Sequence, residues 1–432
     1  MTTSTPVSPS ARTAPPLWRD PATLGYAFAN GVSQIGDEIW FVALAYTAAQ
    51  LGDAGLAGLV LACATLPRAL LMLLGGALTD RLDARRMMIT SDIARIVVLG
   101  VALAVLAAQG VSAGLLIVVG FLFGVADAFY GPACSSFPRQ LVPKDQLVRL
   151  SALRQLISRF AGVLGAPIGG LLVAGYGLGG AMLTDALSFA VILVVLILVR
   201  PRWPRAKSTG VSVRADVRDG LDYLRRTPRV RDLVITLSGL NVFVSPVLSI
   251  GLALHVSANG WGAAGLGWLS GAIGVGAAAG TVVAMRWRPR RPLRAALLLL
   301  LGQAAALVLV GFASYSVTMG AMIVVGIVAG LASPLLSGAF QATVDEEYVG
   351  RASSILSVTD DGLAPVAMAA FGFLAKATSL ATATTAFGLC FAALLGYALS
   401  RPHVRDLRLD GGTGPESDPD TRAEQPADRT AG

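Results

Sequence analysis

The chain has 432 residues, 54% of them hydrophobic and only 14% charged, with a mean hydropathy of +0.68. A soluble domain of this length carries close to a quarter charged residues, so the composition excludes a globular protein in water and makes lipid the solvent. The net charge of +8 rests mostly on arginine, and two histidines and three cysteines, scattered along the chain, offer no metal cluster, haem site or disulfide framework.

Residues 1–21 are polar and Pro-rich, show no secretory signal and are expected to form a cytoplasmic N-terminal tail. Hydropathy windows of about 19 residues place an N-terminal six-helix bundle within 22–199, with spans near 24–50, 55–78, 89–108, 113–137, 155–175 and 178–199. Asp37 and Glu38 fall midway along the first span, beside Trp40 and Phe41. The second span carries Leu66-Pro67-Arg68 and leads into Gly75-Gly76-Ala77-Leu78-Thr79-Asp80-Arg81-Leu82-Asp83-Ala84-Arg85-Arg86. Asp92 and Arg95 follow at i,i+3 spacing, where a structural pair is expected to snorkel toward the cytoplasmic surface. The fourth span has Asp127, Phe129 and Tyr130 ahead of Gly131-Pro132-Ala133. The fifth holds Gly165-Ala166-Pro167-Ile168-Gly169-Gly170, and the sixth holds Asp185, expected near the outer interface.

Residues 200–231 form the longest connection, a cytoplasmic linker in which Val217, Leu221, Tyr223 and Leu224 make an amphipathic run stopped by Pro228, expected to lie as a helix on the cytoplasmic surface. A C-terminal six-helix bundle is expected over 232–400, with spans near 233–256, 261–285, 293–313, 316–339, 353–375 and 380–399. Phe243 sits in its first span, and the adjacent pair Asp360 and Asp361 in its fifth. The tail 401–432, rich in Gly, Pro, Asp and Thr, has no apolar period and is expected to be disordered. At an offset of 202 residues, Pro132, Ser135, Arg149 and Ser151 match Pro334, Ser337, Arg351 and Ser353, as a tandem duplication would leave them.

Orientation follows from the basic residues. With the N-terminus in the cytoplasm, 31 of the 34 Lys and Arg fall in the tails and the loops on that side. Lys376 is the one on the opposite side, and Arg68 and Arg95 lie within spans. The fold class expected is therefore an all-α polytopic membrane protein with twelve transmembrane helices in two pseudo-symmetric six-helix bundles and both termini cytoplasmic. The positive charge reports orientation and anionic lipid, not nucleic acid.

The stretch from Gly75 to Arg86 resembles the loop signature of the major facilitator superfamily: a Gly, three residues, Asp-Arg, then paired basic residues. Asp83 stands where the family usually has a second Gly, and the equivalent stretch Gly280 to Arg291 keeps the basic residues without an acid. Gly36-Asp37, Leu66-Pro67-Arg68, Gly131-Pro132-Ala133 and the span 5 motif extend the resemblance to bacterial drug and siderophore exporters related to macrolide and enterobactin efflux proteins. It implies the major facilitator fold, a gating loop built from Gly76, Asp80, Arg81, Arg85 and Arg86, and an antiporter motif at Gly165, Pro167, Gly169 and Gly170. Span 4 departs from that pattern, carrying Asp127 in place of the Arg-x-x-Gln of many drug/proton antiporters.

Ionisable residues in spans are costly and are functional candidates by default. Asp37 or Glu38, with Asp127 and Arg68, is expected to form a buried titratable cluster able to exchange a proton, with Asp360 and Asp361 as reserve candidates in the second half. Adjacent helical residues point about 100° apart, so one acid of each pair is expected to face a cavity. Arg68 either neutralises Asp37 or Asp127 as a static pair or touches substrate. Trp40, Phe41, Phe129, Tyr130 and Phe243, with Phe28, Phe137 and Trp268, are candidates to line an apolar cavity. The sequence reads as a secondary transporter in a bacterial cytoplasmic membrane, exporting a hydrophobic or amphiphilic small molecule by proton antiport, as a monomer, without a cofactor. An importer or facilitator of a polar metabolite is the alternative, disfavoured because Asn30, Gln34, Asn241 and Gln303 are the main amides in the spans. No nucleotide-binding loop, Ser/His pair or HExxH motif supports ATP drive or an enzyme.

Overall fold

A computed structural model describes residues 15–81, 83–203, 219, 222–287, 289–345 and 348–405. Among them all regular structure is helical, as it must be where lipid offers no partner for a free backbone group. The helices are α1 (Pro21–Gln50), α2 (Ala54–Arg81), α3 (Ala84–Gln109), α4 (Ala113–Ser136), the short α5 (Pro138–Leu141) and α6 (Lys144–Leu198). The second half contains α7 (Pro228–Pro246), α8 (Leu252–Ala258), α9 (Gly262–Arg286), α10 (Pro292–Leu309), α11 (Tyr315–Thr343), α12 (Val349–Ala377), α13 (Leu380–Ser400) and the short α14 (Pro402–Arg405).

Among the described residues, ten stretches are long and apolar enough to cross a membrane. One of them, α6, has 55 residues, which as a straight rod would measure about 80 Å against a hydrocarbon core of about 30 Å. Gly177, at φ 64° and ψ −164°, breaks it into two arms, 144–176 and 178–198. α1 adds a 30-residue rod whose Asp37 and Glu38 dilute its hydropathy. A π-helical segment, Val247–Gly251, follows Pro246 and joins α7 to α8 as one crossing. The described residues thus hold twelve membrane-length rods, six on each side of the linker.

Caps mark the ends. Asp20 accepts the Ala22 N–H at 3.2 Å and the Thr23 hydroxyl at 2.6 Å, with Pro21 at the first helical position. Asp83 caps α3 by accepting the Arg85 N–H at 3.0 Å, so the residue standing in for the family's glycine starts the next helix by hydrogen bonding. Small residues bring the rods together. A methyl group on Gly169 would lie 2.9 Å from the Cα of Ile39, and one on Gly124 would lie 3.0 Å from the Cδ of Pro67.

The halves meet at the end away from the termini. There α2 crosses α12 at Gly58 and Gly372, and α6 crosses α9 at Gly170 and Gly267. Asp53, in the turn between α1 and α2, binds Lys376 Nζ at 2.6 Å across the same seam.

The expected linker helix is partly described. Val217 and Leu221 lie outside the described residues, whereas Leu224 is buried and Tyr223 stacks on Tyr348 at 4.2 Å while donating to Asp345 at 3.0 Å. This end of the linker packs on the α11–α12 turn. Arg401 pairs with Asp232 at 3.5 Å, and the tail expected to be structureless from 401 opens with the helical turn α14. Residues 1–14 and 406–432 lie outside the described residues.

Candidate functional site

The charges of the N-terminal half gather around Arg95. Its side chain is 1% exposed, bonded to Asp127 of α4 and 3.6 Å from Asp92, with the guanidinium 4.4 Å above the Tyr130 ring and 4.9 Å from the Phe189 ring. The pair Asp92 and Arg95 was expected to snorkel; it is buried instead, because α4 and α6 cover that face of α3 and present both an acid and two aromatic rings to the cation. Asp185 is likewise fully buried, not interfacial: it faces Gly36, whose missing side chain leaves it room, and its Oδ1 accepts from Ser188 at 3.2 Å. Both Asp92 oxygens, Asp185 Oδ2 and Arg95 Nε have no hydrogen-bond partner.

Asp37, half-buried on α1, lies within the electrostatic reach of Arg95 and Arg68, and Asp92 and Asp185 both feel its charge. Glu38 projects on the next helical position, where Gly165 makes space: a methyl there would sit 2.5 Å from the Glu38 Cβ. Asp92, Asp127, Asp37 and Asp185 therefore share one buried arginine, with Glu38 beside Asp37.

Arg68 is not placed as the static partner expected. Its Nε lies 3.4 Å from Asp361 on α12, so it joins the halves and pairs with neither Asp37 nor Asp127. Asp360 turns the other way and accepts from Asn241 on α7 at 2.9 Å, leaving its Oδ1 without a partner. The two acids divide between two directions, one toward the other half and one toward a cavity.

That cavity, of about 620 Å³, lies within the C-terminal half and is walled by α7, α9, α10, α11, α12 and α13. Leu237, Leu240, Val244, Leu300 and Val325 give it apolar walls, while Asn241, Gln303 and Asp360 are polar, as are three serines and Gln341 on α11 and α12. Leu237 on α7, Gln341 on α11 and Val349 on α12 are lining residues from the end that carries the termini, the end opposite the glycine seam.

The span 5 motif belongs to the seam. A methyl on Gly170 would lie 2.8 Å from the Gly267 Cα, and one on Gly271 would lie 2.5 Å from Pro167, so Gly165 and Gly169 pack against α1 while Gly170 and Pro167 face the other half. In the loop signature, Arg85 donates to the carbonyls of Leu196 at 2.6 Å and Ile197 at 2.7 Å, closing the end of α6. Arg86 is exposed. The surroundings of Gly76 and the side chains of Asp80 and Arg81 lie outside what the structure describes.

None of the five aromatic candidates is among the cavity's lining residues. Trp40 is 5% exposed against Phe123, Phe129 packs on a core that includes Tyr26, Tyr130 lies beneath Arg95, Phe243 packs on Phe387, and Phe41 is 36% exposed on the helix surface. Phe28 and Trp268 are exposed and Phe137 is buried in the core. What reading the sequence did not weigh is Arg95 as the hub and Gln303 as a cavity residue. Spacing within one helix made Arg95 look local, and its other acidic partner, Asp127, is 32 residues away.

The sequence pattern of the Major Facilitator Superfamily matches residues 26–368. The chain is 24% identical over 395 residues to the multidrug efflux pump Tap of Mycolicibacterium fortuitum, covering 88% of this chain and 96% of that protein. A shorter match, 24% over 154 residues, covers 35% of this chain and 47% of macrolide efflux protein A of Enterococcus faecalis. Among solved structures, the nucleoside transporter NupG superposes with a TM-score of 0.68 at 14% identity, covering 87% of this chain and 97% of its own. A bacterial homologue of the iron transporter ferroportin in an inward-facing state gives 0.68 at 16%, covering 88% and 99%.

Proposed function

The chain belongs to the major facilitator superfamily, and from that premise we propose that it exports a hydrophobic or amphiphilic small molecule from the cytoplasm of a bacterium by alternating access, driven by proton antiport. The observation that carries this reading is an asymmetry between the two ends of the bundle. The halves are pinned together at one end by Gly58 on Gly372, Gly170 on Gly267 and Asp53 on Lys376, while the cavity takes lining residues from the other end. The positive-inside bias assigns the cavity end to the cytoplasm, so this is the cargo-loading state. The two Tap-like and macrolide-efflux-like relatives favour outward drug transport over uptake.

Proton coupling draws its support from the N-terminal cluster. Carboxylates outnumber guanidinium groups around Arg95, and uncompensated charge at this depth is expensive. A bound proton balances it in one state and leaves in another as the rods shift, so that Asp37 and Glu38, with Asp127 held by Arg95, form the proton site. Arg68 and Asp361 act as the link across the midplane.

The test is efflux of ethidium from cells expressing the protein, with and without an uncoupler, for the wild type and for the Asp37→Asn/Glu38→Gln double variant. Expected is uncoupler-sensitive efflux that the double variant loses. Efflux by the double variant at the wild-type rate, or efflux indifferent to the uncoupler, removes the antiport while leaving the carrier.

A further inference from the structure

We propose that the cavity of the C-terminal half is a binding subsite for the ammonium head of an amphiphilic organic amine, held by Asp360 and Gln303 with the apolar body against α7 and α11. The inference rests on the exporter reading and names its substrate class.

Polarity decides the class. Asp360 has one oxygen occupied by Asn241 and one free, and the side chain of Gln303, 4% exposed, also lines the cavity with its oxygen unpaired. Both unsatisfied atoms are acceptors and one belongs to a carboxylate, so the complementary ligand is cationic and carries more than one N–H. An anion finds no unpaired donor of positive charge among the lining residues. A divalent metal is excluded by the donor set, since the described residues contain no group of three His, Cys, Asp or Glu close enough to hold one. A sugar would leave the leucine and valine walls facing hydroxyls. The volume of about 620 Å³ suits a drug-sized body.

The position also couples to the halves. Asp361, the next residue along α12, pairs with Arg68 of the N-terminal half, so a ligand that draws Asp360 deeper into the cavity turns the same helix turn that holds the cross-half pair. The π-helical segment Val247–Gly251, which contributes Leu248 to the wall, gives α7 a point of adjustment on the facing side.

The experiment titrates the purified full chain in nanodiscs with dansylcadaverine, an aromatic primary amine, and with its N-acetyl derivative, which keeps the body and loses the charge. The wild type should bind the amine at least about tenfold more tightly than the acetylated probe, as hydrogen bonds to a charged group allow. Asp360→Asn should abolish that preference while leaving the acetylated probe unchanged, which also shows that the variant is folded. Gln303→Leu should weaken the amine severalfold and leave the neutral probe alone.

A wild type without preference, a preference that survives Asp360→Asn, or binding of neither probe overturns the subsite. Ethidium export from cells separates the two readings. Export that persists alongside a failed binding test sinks the subsite alone, and an Asp360-dependent preference in a chain that exports nothing keeps the subsite and sinks the exporter.

Discussion

The glycine seam between α6 and α9 gives the sharpest test of alternating access. A methyl group on Gly267 would lie 2.7 Å from the carbonyl oxygen of Ala166 and 3.0 Å from the Cα of Gly170. Non-bonded heavy atoms rest at about 3.5–4.0 Å, and both neighbours are backbone atoms that cannot rotate away, so the rods must part by roughly 1 Å. Overpacking of this kind costs about 1–3 kcal/mol, which lowers the population closed at that end by about 5- to 150-fold. The assay is a pulsed-EPR distance between spin labels at Val111→Cys and Phe312→Cys, one on the seam end of each half, with the native Cys63, Cys134 and Cys390 replaced by serine. Gly267→Ala should move the distribution to longer distances, whereas Gly175→Ala, where a methyl meets nothing within 4 Å, should leave it in place. An unshifted distribution for Gly267→Ala, with thermal stability as in the wild type, refutes the reasoning from packing to conformation.

Three further outcomes follow from the charges. Arg95→Leu strands Asp92 and Asp127 without their cation, a loss of about 3–5 kcal/mol. Thermal unfolding in detergent should show a large drop, partly recovered by adding Asp92→Asn and Asp127→Asn; an unchanged midpoint would remove Arg95 as the hub. The Lys376 hydrogen bond holds the Asp53 carboxyl below its ordinary value of 3.8, so the cross-half contact is complete above that value and is lost as the pH falls through the lowered one. Lys376→Ala should therefore lengthen the same spin-label distance at neutral pH, and acidification below about pH 3.8 should then have no added effect on it. For Asp20, burial pushes the carboxyl up, but the Thr23 hydrogen bond and Arg202, at 2.7 and 2.9 Å, outweigh it and leave it lowered. Its contribution is present above the ordinary value and disappears as pH falls through the lowered one, so Asp20→Asn should reduce stability at pH 7 and flatten its acid limb, measured by unfolding midpoints from pH 7 to 3.

The lipid solvent, the all-helical class and the break near residue 177 were legible in the chain, because hydropathy acts span by span and needs no partner. The span 5 motif was legible as a motif but not as a seam, since the surface that Pro167 and Gly170 meet, Gly271 and Gly267, is about a hundred residues away. The same limit applies to the charges. Period and spacing could place Asp360 and Asp361 on one helix, yet only the packed bundle turns one toward Asn241 and the other toward Arg68. Arg95 read as a local snorkelling residue until α4 and α6 closed over it. Local composition determines whether a segment enters the membrane, because transfer from water to lipid is summed along the helix. Which side chains meet is decided by rotation and crossing of rods within lipid, where tails as apolar as leucine supply no preference and the contacts themselves must choose.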